Sequence, residues 1–205
     1  MTVELRESPA GHLAEACAEA SVPGVVTLRE IPFLPQAEVR ARDDTEAARV
    51  LGTLPEPGRA RTDAPWTDTG PSAAGGPGAA GGSGAAGGSG VAGGSGVGRE
   101  RTVLWLGPGW YLVVGAVPAG AVDTSAARTT LELAGPSARD VLAHGCRLDL
   151  HPRVFTPGAA ARTNVAKAAV VLHRTGDAYR LYVGSSYADY LVTWLLDAMT
   201  PYVGT

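Results

Sequence analysis

The densest group of reactive side chains in this 205-residue chain is His144, Cys146, Asp149 and His151, all within eight positions. They are metal-ligand and acid–base types. Zinc, however, takes ligand pairs brought together from separate elements, or two histidines one turn apart on a helix. Here the spacing runs off a helix end into an extended segment. The four side chains should diverge, so they read as capping and surface groups. Cys146 would need a neighbouring base to become a nucleophilic thiolate, and His144, two residues away, is badly placed for that. Cys17 falls on the apolar face of a short helix. His173, beside Arg174 in an apolar run, reads as a partly buried strand histidine, and His12 lies at a helix start.

The other motifs point the same way. A phosphate-cradling loop needs Gly-Lys-Ser/Thr, but the single lysine, Lys167, follows Asn-Val-Ala. Gly107-Pro108-Gly109 is followed by Leu112 where a dinucleotide fingerprint requires glycine. No nucleophile elbow of the G-x-S-x-G type occurs, and Gly184-Ser185-Ser186 leads into a helix, where capping explains the serines. The expectation is therefore no catalytic, cofactor-binding or metal-binding residue on this chain. A net charge of −3 gives no drive toward nucleic acid or anionic lipid. Two cysteines make no disulfide framework, and the polar start MTVELRESPAGH lacks a signal core. These features suggest a cytoplasmic protein with no nucleic-acid or membrane partner. The uncharged run 102–122 is long enough to span a bilayer, but its glycines and prolines break it into two strands and a turn.

Stepping along the chain, residues 9–20 place Leu13, Ala16, Cys17 and Ala20 at helical spacing. Residues 25–33 alternate as a strand, 36–42 read as another, and 43–52 as a helix capped by Asp43 or Asp44 and ended by Gly52. Residues 53–69 read as loop, with Trp66 a candidate anchor. Residues 103–114 form a buried hairpin around Gly107-Pro108-Gly109. Then come a strand at 129–135, a short helix ending at Gly145, an irregular segment at 146–158, and a hairpin turning at Thr175-Gly176-Asp177. Tyr187, Tyr190, Leu191, Trp194, Leu195 and Ala198 mark a final helix, with Ser186 and Asp189 resembling a capping box and Pro201 following its end.

The sum is an α+β fold of antiparallel β-hairpins with short helices. Residues 70–98 interrupt it as a Gly/Ala/Ser tract repeating GAAGGS, GAAGGS and GVAGGS. That composition is expected to give a solvated low-complexity insertion. Residues 1–69 and 99–205 would be two parts of one domain.

Three segments carry a family resemblance: VVTLREIPFLPQAEVRA (25–41), VLWLGPGWYLVV (103–114) and the long stretch 132–199. The most specific part is GCRLDLHPRVFTPG followed by SYADYLVTWLLDA. Together they resemble the gamma subunit of heterotetrameric sarcosine oxidase, and the L-x-L-x-G-P-x-A-R-x-V-L stretch is shared with the folate-binding fold of aminomethyltransferases. Some positions depart from the family. Gly109-Trp110-Tyr111 replaces an acidic D-E-W-type hairpin, Tyr187 stands for a phenylalanine, and the 70–98 tract is not a family feature.

The resemblance implies an accessory subunit of an enzyme that oxidatively demethylates sarcosine to glycine. That enzyme releases H2O2 and formaldehyde or methylenetetrahydrofolate. It implies alpha, beta and delta partner subunits. FAD, FMN, NAD, tetrahydrofolate and zinc would sit on those partners, with none on this chain. The contact candidates are Phe33 with its loop, and Arg147, Asp149, His151 and Arg153 of the 146–158 segment. The alternative is a stand-alone folate-binding protein of the same fold. Against it, Gly145-Cys146 continues as Arg-Leu-Asp rather than as the K-G-C-Y-x-G-Q-E of that class.

Overall fold

The computed structural model describes residues 7–63 and 100–203. The 70–98 tract, Trp66 and most of the first and last few residues lie outside them. The first helix, α1 (Ala14–Glu19), follows a single 3-10 turn. Strands β1 (Thr27–Ile31) and β2 (Gln36–Arg40) come next, then α2 (Asp44–Leu51). The Asp43 carboxylate accepts from the Glu46 N–H at 2.9 Å, and Gly52 ends the helix at φ 75°. Both ends of α2 therefore sit where the capping signals put them.

Strands β3 (Ala60–Asp63), β4 (Arg101–Gly107), β5 (Trp110–Val114), β6 (Val122–Asp123) and β7 (Arg128–Ala134) follow. Helix α3 (Ala138–Ala143) precedes β8 (Ala160–Val165), β9 (Ala168–Thr175) and β10 (Ala178–Gly184). The chain closes with α4 (Ala188–Val203). Among the described residues no helix is long and apolar enough to cross a membrane, and the uncharged run 102–122 is chiefly the β4–β5 hairpin.

Two five-stranded sheets, both antiparallel in every pairing, organise these strands. The first runs β1-β7-β10-β9-β8 and the second β3-β4-β5-β2-β6. Each sheet takes strands from both sides of residues 64–99. The backbone stitches the sheets together at one corner, where Ala60 N–H donates to Gly158 O at 2.8 Å and Ala160 N–H to Gly58 O at 2.9 Å.

Strand alternation sorts side chains between layers. One face of the first sheet (Leu28, Leu131, Leu133, Val170, Leu172, Leu181 and Val183) packs on α1, α3 and α4. Its other face carries Val171 and Tyr182 against Leu104, Leu106, Leu112 and Val114 of the second sheet. The second sheet's outer face (Val39, Val103, Tyr111, Val113) is covered by Ala47 and Leu51 of α2. Strands β4, β5, β9 and β10 are thus buried on both faces, which is why they read as continuous apolar runs.

A polar row crosses the first sheet in register: Arg29, Glu132, Arg180 and His173 on β1, β7, β10 and β9. Glu132 accepts from Arg29 Nε at 2.9 Å and from Arg180 Nε at 3.1 Å. Burial pushes the Glu132 carboxyl up, but the two guanidinium groups outweigh it and leave its pKa below the ordinary value.

Several expectations are corrected. Residues 60–63, read as loop, form β3. Residues 160–165 and 122–123, given no element, form β8 and β6. All three strands lie at sheet edges, where half-solvated polar residues leave no apolar alternation to read. The β8–β9 turn is Ala166-Lys167, with Ala166 at φ 51° in the left-handed region and no glycine to announce it. A 3-10 turn at Ser185–Tyr187 precedes α4 where the capping box of Ser186 and Asp189 was expected. Pro201 lies inside the last turn of α4 rather than beyond it. Tyr187 and Tyr190, grouped with the buried face, are exposed.

Candidate functional site

The His144–His151 group does not converge. His144 Nε2 lies 3.1 Å from the Tyr202 hydroxyl, and Cys146 forms a β-bridge with Val165. The Asp149 carboxylate accepts the His151 N–H at 2.9 Å, while His151 Nδ1 accepts the Arg153 N–H at 3.2 Å. Asp149 and His151 therefore build the turn that presents Arg153 and Val154 to solvent. Among the described residues no three His, Cys, Asp or Glu side chains are grouped to hold a metal. Cys17 is buried, and burial, followed by the Glu30 charge, raises its thiol pKa. It stays protonated and unreactive at neutral pH.

Phe33 is exposed and sits at φ 55° between β1 and β2. Holding a bulky side chain in the left-handed region costs on the order of 1–3 kcal/mol. It stands at the end of an apolar groove of about 560 Å³ between α1 and β1, which Cys17 and Leu28 also line. Phe33 is thus remote from the 146–158 segment in chain and element. The structure places Arg147, Asp149, His151 and Arg153 together on one exposed stretch, with Phe33 on a separate groove.

A second groove, about 750 Å³, opens where the two sheets part. Two guanidinium groups lie over the ring of Trp110, the first residue of β5. Arg40 of β2 lies 4.1 Å from its ring centroid and Arg162 of β8 lies 4.0 Å away. Its indole N–H donates to Glu38 Oε2 at 3.0 Å. Glu38 also accepts from Arg128. Burial pushes the Glu38 carboxyl up, but the bonds from Arg128 and Trp110 and the charges of Arg128 and Arg40 bring its pKa below normal. Arg147 and Tyr187 complete the mouth.

None of Glu38, Trp110, Arg128 and Arg162 was singled out from sequence as a site residue. Trp110 falls in the 103–114 run, where a buried hairpin was expected. The available signal was the charged Glu38-x-Arg40 pair on a strand whose neighbour begins with tryptophan.

This geometry is an open recess lined by arginines and aromatic side chains, a composition suited to recognition of acidic groups. The family described as SoxG, sarcosine oxidase gamma subunit family, matches residues 113–201. The Arthrobacter sp. protein named sarcosine oxidase subunit gamma is 34% identical, covering 98% of this chain and 93% of that one. The namesake from Corynebacterium sp. strain P-1 is 36% identical over the same shares. The chain belongs to the sarcosine oxidase gamma-subunit family.

The gamma-family assignment extends to three dimensions. A chain of the heterotetrameric sarcosine oxidase from Corynebacterium sp. U-96, in complex with pyrrole 2-carboxylate, superposes with TM-score 0.74 at 30% identity. The match covers 98% of each chain. The glycine cleavage system aminomethyltransferase T from Bartonella henselae shares the fold at TM-score 0.61 and 14% identity, over 94% of this chain and 57% of that one. The gamma subunit thus has the α+β architecture expected from the L-x-L-x-G-P-x-A-R-x-V-L stretch.

Proposed function

We propose that this chain is the structural, non-catalytic gamma subunit of a cytoplasmic heterotetrameric sarcosine oxidase. In that assembly it packs against alpha, beta and delta chains that carry FAD, FMN, NAD, tetrahydrofolate and zinc. The observation that carries this reading is the end-to-end match to one chain of a sarcosine oxidase heterotetramer, 98% of each chain at TM-score 0.74. The site geometry supports it. The exposed groups are of interface type: Phe33, Val154, Tyr187 and Tyr190. Phe33 and the Arg147, Asp149, His151 and Arg153 stretch are the contact residues in this reading.

Co-expression with the native partner chains tests it. A yellow complex that retains this chain through gel filtration, and that weakens when Phe33→Asp is combined with Arg153→Glu, is the expected result. A colourless, monodisperse single chain that never joins the flavin-bearing fraction would overturn it.

A further inference from the structure

The groove at the parted sheets holds more positive charge than its own fold uses. Arg128 and Arg40 are matched by Glu38. Arg147 and Arg162 have no carboxylate partner among the described residues, and both are exposed. Arg162 is nevertheless fixed in place, because Trp110 holds its guanidinium plane at 4.0 Å. Arg40 also lies over the ring, 4.1 Å from its centroid, so the indole is a mounting for charge and not a free stacking platform. The only acid in the lining, Glu38, is already taken.

Two exposed tyrosines extend the recess outward. Tyr187, at the mouth, is 51% exposed, and Tyr190, three residues further along the chain, is 37% exposed. An arginine held over a tryptophan next to an exposed tyrosine is the composition of a protein-docking hot spot. The recess is open and runs along strands of both sheets, a shape for an extended segment rather than an enclosed small molecule.

We infer that this groove, lined by Arg147, Arg162 and Tyr187, receives an acidic extended segment of a partner subunit, whose carboxylates pair with Arg147 and Arg162. The inference rests on the subunit reading above and adds to it the partner's chemistry and the position of the seat. Pre-organisation by Trp110 matters because an arginine already held in place loses less side-chain freedom when a carboxylate arrives.

The test uses the full chain and its native partner chains. Arg147→Glu combined with Arg162→Glu should weaken association about 30-fold or more, with far-UV circular dichroism unchanged. Arg147→Lys with Arg162→Lys, which keeps the charge, should retain most of the affinity. Arg49→Glu, on α2 outside the groove, should have no effect. Raising salt from about 0.05 to about 0.5 M should weaken the wild-type complex more steeply than the charge-reversed one. A photo-crosslinker at Thr163 in the assembled complex should capture a partner peptide containing Asp or Glu.

Unchanged affinity and salt dependence in the folded charge-reversed chain would overturn the inference while leaving the subunit reading intact. A captured peptide without carboxylates would do the same, as would a groove that takes phosphate or citrate while assembly is untouched. Failure of the wild-type chain to associate would overturn both.

Discussion

His173 supplies a pH-dependent stability whose size follows from its surroundings. The ring is 4% exposed on β9, its Nδ1 has no hydrogen-bond partner, and Arg180 faces it across the ladder from β10. Burial, then the Arg180 charge, lowers its pKa from 6.5 to about 4. Between those values the unfolded chain binds a proton that the folded chain refuses, so stability falls as pH falls through that window. The full shift is worth roughly 3 kcal/mol, of which about 2 kcal/mol is lost by pH 5.

His173→Leu removes the titration and the unpartnered nitrogen at similar volume. Urea unfolding of the full chain, followed by fluorescence of its tryptophans, would be run at pH 7 and pH 5. Wild-type stability should drop about 2 kcal/mol more than that of the variant, a difference of about 4–8 °C in Tm. The neighbouring Arg174 and Arg180 stay charged in both proteins. Glu132, whose pKa the two guanidinium groups hold below the ordinary value, is ionised at both pH 7 and pH 5. Equal drops for the two proteins would refute the claim that His173 is held neutral by burial.

Two further outcomes follow from particular contacts. A Cβ on Gly145 would lie 2.6 Å from Trp194 Cζ2 and 2.9 Å from the Ala166 nitrogen. Gly145→Ala should therefore cost about 1–3 kcal/mol in thermal unfolding, and adding Trp194→Leu should recover part of it in a double-mutant cycle. Deleting residues 70–98 shortens the connection between Asp63 and Arg101 from 37 residues to 8. Those two residues are register partners in β3–β4, so the short form should still close. It should gain about 1 kcal/mol from reduced loop-closure cost, and loss of a single cooperative transition would refute this.

The legible parts of the fold were those with strong local chemistry. Asp43 and Gly52 announced both ends of α2, Thr175-Gly176-Asp177 announced the β9–β10 turn, and uninterrupted apolar runs announced the doubly buried strands. The illegible parts owe their structure to distant partners. Strand β3 is polar and exists because Arg101, 3% exposed, reaches back to Asp63 at 2.6 Å. The β8–β9 turn uses Ala166 at a dihedral its type rarely adopts. The groove was hidden for the same reason. Its working parts come from β2, β5, β7, β8 and the residue before α4, and no window of sequence contains both arginines and the ring they lie over. Of the contact residues expected from the family resemblance, Arg147 alone reaches that groove. Asp149 and His151 proved to be busy shaping their own turn.

The strand order sets the schedule on which the molecule can be completed. Thr27 pairs with Ala134, and β7 is flanked on its other side by β10. As the chain leaves the ribosome, β1 waits for more than a hundred residues before its only neighbour exists, and β7 then waits for nearly fifty more. Such distant pairings make folding slow, and in the interval Leu28, Leu131 and Leu133 have no sheet to enter. The newborn chain is an unfinished layer with its oily side showing. Its yield in the cell should track how quickly its last seventy residues are made and how soon a chaperone shields that layer.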